Sequence, residues 1–277
     1  MPETPHSNAN VEPRGRRGGF FRLRVATLLV VLVGVALYAY RDKADRDART
    51  DWQRSLKVAV VLLLEGEVDP ASTHAVEVGL DELEARLAAE FQRYRRGPKP
   101  FELSFFGPAN VAEPPPEPKS EGAFDLVIFT YRQWRYTRAV DRALGLDRDA
   151  FDCRIYAVAR PTSNPRAQWV EGYSQQGGRM GFVRVELNQA MVSLVLAVTA
   201  HELMHTLGAS DKYDERGASR VPEGLAEPEL EPQFPQRCAE VMARNRPLGP
   251  GREVPLESLN ELCVGPYTAR ELHWLRP

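Results

Sequence analysis

The 277-residue chain has only three cysteines, Cys153, Cys238 and Cys263, and no Cys-x-x-Cys pair. That argues against a cysteine-based zinc site. The count is odd, so at least one thiol has no intramolecular partner. Cys238 and Cys263 are either joined in a disulfide or reduced and partly buried, and their spacing leaves both readings open. Basic charge is also scarce where it would matter. The formal net charge is −2; residues 1–24 carry +3 from five arginines against Glu3 and Glu12, residues 25–40 carry no charge, and residues 41–277 hold −5. A mildly acidic body argues against a nucleic-acid partner. Internal repeats are lacking.

The one long uncharged run, 25–40 (VATLLVVLVGVALYAY), spans about 24 Å as a helix, somewhat short of a ~30 Å hydrocarbon core. Phe20, Phe21 and Leu23 extend it, because Arg22 and Arg24 can snorkel, and Tyr38 and Tyr40 suit the far interface. Residues 20–40 are therefore expected to form a signal anchor, with the arginine-rich side cytoplasmic. A cleaved signal peptide and a buried soluble helix are the alternatives; Leu37-Tyr38-Ala39 makes a poor cleavage site. Either export reading places residues 41–277 outside the cytoplasm.

Residues 1–19, rich in Pro, Gly and Arg, are expected to be disordered, and 41–55 to be a mixed-charge spacer, helical or flexible. A folded domain is expected over 56–277. Strands are expected at 57–64, 101–106, 124–130 (FDLVIFT), 154–159, 168–174 and 179–187. Apolar spacing predicts helices at 74–95 and 189–207. A last short helix is expected to start at Thr268, where Thr-Ala-Arg-Glu reads as a capping box. Strands and helices alternate, so the expected class is α/β or α+β.

Residues 201–211 read His-Glu-Leu-Met-His-Thr-Leu-Gly-Ala-Ser-Asp. At helical spacing His201 and His205 lie on one face, close enough for both imidazoles to reach one zinc ion. Glu202 beside them can serve as general base to a zinc-activated water. The preceding turns, AMVSLVLAVTA, are apolar nearly all round, so the helix is a core helix. Two imidazoles and a carboxylate there are costly without partners, and a Zn2+ ion removes that cost. A catalytic zinc needs a third protein ligand. Gly208 can turn the chain back after the helix, which brings Asp211 into reach, with Asp214 and Glu240 as alternatives.

The pattern His-Glu-x-x-His-x-x-Gly-x-x-Asp resembles the metzincin signature, in the branch with Asp in the last place, as in snapalysin-type secreted bacterial endopeptidases. The resemblance covers about residues 188–277. It implies a zincin-like fold: a mixed twisted sheet, an active-site helix, and an irregular C-terminal subdomain with a methionine turn and a final helix. Met242 is the candidate for that turn. A metal-reaching tyrosine two residues after it is missing, since Arg244 stands there; Tyr213 and Tyr267 are the other candidates. The strand at 179–187 corresponds to the one on which family members lay an extended substrate. The implied activity is zinc-dependent hydrolysis of a protein or peptide substrate, with Glu202 catalytic and His201, His205 and Asp211 as ligands. The implied setting is a single-pass protein of the bacterial inner membrane, or a secreted one if the leader is cleaved. A non-catalytic zinc-containing binding module and a zinc hydrolase of a non-peptide amide are the rival functions.

Overall fold

A computed structural model describes residues 17–117, 122–162 and 169–275, and the chain divides into two compact units, Met1–Asp47 and Ala48–Pro277. The first unit holds most of helix α1 (Arg17–Arg49), whose stretch Phe21–Arg49 is long and apolar enough to cross a membrane, with none of its apolar window buried. Of the segment expected to be disordered, residues 1–16 lie outside the described residues, and 17–19 already belong to α1.

The second unit starts earlier than residue 56. Arg49 and Trp52 are buried in it, and the Trp52 indole donates to the Leu272 carbonyl at 2.7 Å while packing edge-on against Phe101 and Trp274. The chain then runs through β1 (Leu56–Leu64), α2 (Pro70–Tyr94), β2 (Phe101–Asn110), α3 (Ala123–Ala143), β3 (Cys153–Pro161), β4 (Val170–Ser174), β5 (Met180–Leu187) and α4 (Val192–Thr206). An irregular C-terminal part follows, with β6 (Ala239–Glu240), β7 (Arg246–Gly249), β8 (Arg252–Val254), β9 (Leu262–Cys263) and α5 (Pro266–Glu271).

The five long strands form one mixed sheet in the order β2-β1-β3-β5-β4, parallel throughout except that β4 runs antiparallel to β5. Both faces are covered, which explains why β1 is apolar without alternation. Val58, Val60 and Leu62 point into the core shared with α2 and α4, whereas Ala59, Val61 and Leu63 point into a smaller core beneath α3. The Cys238–Cys263 disulfide is present, and Cys153 is a free, buried thiol. The bridge closes a separation of 25 residues, for which chain entropy gives about 3 kcal/mol. Replacing both cysteines by serine should lower unfolding free energy by about that amount, read from the denaturant midpoint. An unchanged midpoint would show the crosslink to be idle.

Two local expectations are overturned. The segment 124–130 is not a strand but the start of α3. Its β-prone residues are outvoted by the turns that follow, where Gln133, Tyr136, Thr137 and Val140 recur at helical spacing and turn inward. The last helix starts at Pro266, which occupies its first turn, so Thr268 is inside the helix and not its cap. Glu271 is used elsewhere, as described below.

Candidate metal centre

Helix α4 runs through the core and delivers its polar residues at its C-terminal end. Both histidine rings are oriented from behind. His201 Nδ1 lies 2.9 Å from the Val241 carbonyl, and His205 Nδ1 lies 2.8 Å from the Ala209 carbonyl. A carbonyl only accepts, so each Nδ1 carries a proton, and each Nε2 faces forward as the atom that can bind a metal ion in place of its own proton.

Gly208 makes the turn that the sequence requires of it. Its φ is +104°, and the space around it is open, so backbone conformation alone demands glycine there. The returning chain brings Asp211 Oδ1 to 3.1 Å from His201 Nε2 and 3.2 Å from His205 Nε2. Burial works to raise the Asp211 carboxyl, but the two imidazoles outweigh it and hold the group well below the usual carboxylate range. His205 is shifted upward: burial opposes its charge, and Asp211 with the Ala209 carbonyl overcomes that. Three potential ligand atoms thus face one point. The His201–His205–Asp211 group can hold a metal ion, and two imidazole nitrogens with one carboxylate oxygen are a donor set that suits zinc.

Of the residues considered as a third ligand, only Asp211 joins the histidines. Asp214 accepts from the Arg216 and Ala218 amides and so shapes its own loop. Glu240 is buried, taking the Met242 and Gly265 amides at 2.6 and 3.2 Å. Met242 is fully buried in the main core. Its segment serves the site through the backbone: Val241 holds His201, and the Met242 carbonyl accepts from the Lys212 amide at 2.8 Å.

Glu202 stands apart from this group. Its side chain is buried, Oε2 has no hydrogen-bond partner, and burial pushes its carboxyl up. It faces the β4–β5 hairpin, where a Cβ on Gly172 would overlap Glu202 Oε1. Tyr213 also reaches the site. Its ring lies 6.2 Å from that of His201 at a shallow angle, and burial together with Asp211 pushes its phenol up to about 12. Tyr267, by contrast, lies in α5 under the Arg270 guanidinium.

His201, Glu202 and Tyr213 open on a cleft of about 860 Å³, walled by Leu194 and Val198 of α4 on one side and Leu256 and Leu262 on the other. Gly172 and Tyr173 of β4 also line it. The edge strand beside the cleft is therefore β4. Strand β5, expected from the resemblance to receive an extended substrate, lies between β3 and β4 with both backbone edges occupied.

Several positioning residues carry no local signal in the sequence. Glu271 accepts from the Ser210 amide and hydroxyl, both at 2.9 Å, and from Lys212 Nζ at 2.5 Å, pinning the loop on either side of Asp211. Arg49 donates to the carbonyls of Gly177, Gly178 and Thr206, tying the hairpin turn to the end of α4. Gly172 clears the space that Glu202 fills.

Fold and site together define a class: a mixed α/β protein whose core helix presents a group able to hold a metal ion. No family model matches the chain, and no curated protein sequence matches it. Among solved structures it is similar to archaemetzincin from Methanopyrus kandleri, at 14% identity and TM-score 0.33, over 62% of this chain and 79% of that one. It is also similar to a catalytically inactive OgpA from Akkermansia muciniphila in complex with an O-glycopeptide substrate, at 13% identity and TM-score 0.32, over 58% of this chain and 49% of that one.

Proposed function

We propose that the chain is a membrane-anchored, zinc-dependent endopeptidase of metzincin-like type that works outside the cytoplasm. The observation that carries this reading is the Glu202 carboxylate, whose buried Oε2 has no hydrogen-bond partner and which opens on the same cleft as His201. A purely structural metal site has no use for such a group.

His201, His205 and Asp211 are the proposed ligands. A zinc ion held by them supplies Lewis acidity, lowering the pKa of water and polarising a carbonyl. The residues of the chain do the rest. An extended peptide adds to the free edge of β4 through backbone pairing, with side chains turned into the cleft. Glu202 takes a proton from the attacking water and passes it to the leaving amine. Tyr213, whose ring lies beside His201, is the proposed donor to the developing oxyanion. The Cys238–Cys263 disulfide favours an oxidising compartment, in keeping with α1 as a signal anchor of the bacterial inner membrane.

The direct test is elemental analysis of the purified full chain together with cleavage of a peptide library. Near-stoichiometric zinc and cleavage that stops on zinc chelation are expected. A chain that binds no zinc under conditions where it is folded sinks the proposal.

The cradle around Glu202 gives a second, narrower expectation. In Gly172→Ala the new methyl must push the Glu202 carboxylate aside. A misplacement of about 1 Å costs on the order of 100-fold in rate, so kcat/KM should fall by about that factor while zinc content stays constant. Unaltered kcat/KM would mean that Glu202 does not work from the position it occupies beside Gly172.

A further inference from the structure

Helix α3 wears its apolar stripe on the wrong side for a soluble protein. Its inward face packs on the sheet through Tyr136, Thr137 and Val140. On the opposite face Phe124, Val127, Tyr131 and Trp134 follow at steps of three and four residues, and they are 77%, 66%, 58% and 42% exposed. Among the described residues of the unit Ala48–Pro277, seven large hydrophobic side chains are exposed, and five of them, these four and Leu126, sit on α3. Single exposed hydrophobics need no explanation, but a contiguous set marks a contact surface.

The same face changes character along its length. After Trp134 it continues with Arg138 and Arg142, with Arg135 beside them and Arg132 on the flank, all exposed. The Tyr131 and Trp134 rings stack at 6.1 Å, and the Arg138 guanidinium lies 5.2 Å from the Trp134 ring centroid. Aliphatic and phenyl groups at one end, Tyr and Trp in the middle, and arginines at the other end are the layers of a bilayer surface: acyl chains, interface and phosphates.

We infer that α3 is a second membrane contact, an interfacial helix that docks the folded unit on an anionic lipid surface. The inference rests on the reading of α1 as a membrane anchor. The uncharged run ends at Tyr40 and the folded unit begins at Ala48, so the tether between them is seven residues, at most about 25 Å even when fully extended. The anchor thus keeps the unit within reach of headgroups. Charge selects the lipid: the exposed arginines suit anionic headgroups, each adding to the attraction. A second copy of the chain docked on this face would instead bring four more arginines to it. The docking has a consequence for the cleft. Phe129 of α3 lines the cleft that holds Glu202, so a docked α3 puts one wall of that cleft about one helix diameter, ~10 Å, from the surface. That favours substrates presented at the membrane.

The test uses the full chain in lipid nanodiscs of phosphatidylcholine and phosphatidylglycerol, with ordinary or brominated acyl chains. Of the four tryptophans none lies in α1, Trp52 and Trp274 are buried, and Trp169 is half-buried beneath Arg160. The difference between the wild type and Trp134→Phe isolates the emission of Trp134. Brominated chains should quench most of it, and a Phe124→Ser, Val127→Ser double variant should restore it. That variant should keep the wild-type circular dichroism and its rate on a short soluble peptide without lipid. A chain that co-purifies with nanodiscs but shows equal Trp134 emission in both lipids overturns the inference and leaves the anchor standing. A chain that does not co-purify overturns the anchor reading itself, and the inference with it. Loss of soluble-peptide hydrolysis in the double variant, or unquenched Trp134 with concentration-dependent dimers, also overturns the inference, in favour of a substrate surface or a second copy.

Discussion

Glu202→Gln should lower kcat/KM on peptides by about 10²–10⁴-fold, the usual contribution of a general base, with zinc content and thermal stability unchanged. The substitution keeps the shape of the side chain and removes only its capacity to take a proton. Three features of the site make the effect specific. Glu202 is not one of the three groups that converge on the metal position, so its loss leaves the donor set whole. Its Oε2 has no protein partner to lose. Burial pushes its carboxyl up, which brings it closer to the working range of a base at neutral pH. The measurement is kcat/KM for one peptide substrate alongside zinc by elemental analysis. Equal cleavage by both proteins would remove Glu202 from the mechanism. Loss of zinc with loss of activity would make it a ligand instead.

The motif on α4 was legible because its information is local. A periodicity of 3.6 places His201 and His205 on one face, and a single glycine with φ of +104° turns the chain back to Asp211. The strands of the central sheet were legible for a similar reason: β1 and β3 are unbroken apolar runs because both of their faces are covered. Elsewhere local pattern misled. Phe124–Thr130 carries strand-forming residues, yet no sheet edge receives it, and the inward-facing residues of the next two turns decide for a helix. The assignment of β5 as the substrate strand failed because strand order is a long-range property. Only pairing shows that the short β4 hairpin arm folds back to take the edge. Glu271 read as part of a capping box because its true partners, Ser210 and Lys212, are some 60 residues away in sequence. Gly172, too, is an unremarkable strand glycine until the Glu202 carboxylate is seen to occupy the space its side chain would need.

Asp211→Ala should weaken zinc binding by more than the 10–100-fold that loss of a supporting second-layer group typically costs, and hydrolysis should fall with the zinc. The loss is electrostatic as well as geometric. His201 and His205 are each fixed by a backbone carbonyl, so removing Asp211 leaves two neutral nitrogens and no negative charge to offset a divalent ion. Asp211→Asn separates these effects: it retains an oxygen at the same place and removes only the charge, so its zinc affinity should fall between those of the wild type and the alanine variant. Asp214→Asn serves as the control, because the Asp214 carboxylate is spent on the Arg216 and Ala218 amides, 2.9 and 3.0 Å away. Its zinc affinity should match the wild type. Competition with a chromophoric chelator reads all three variants on one scale. If Asp211→Ala keeps wild-type affinity while Asp214→Asn loses it, the third ligand is the wrong one of the two. The turn at Gly208 would then have to open by three residues, against a loop that Glu271, Lys212 and the Met242 carbonyl hold in place.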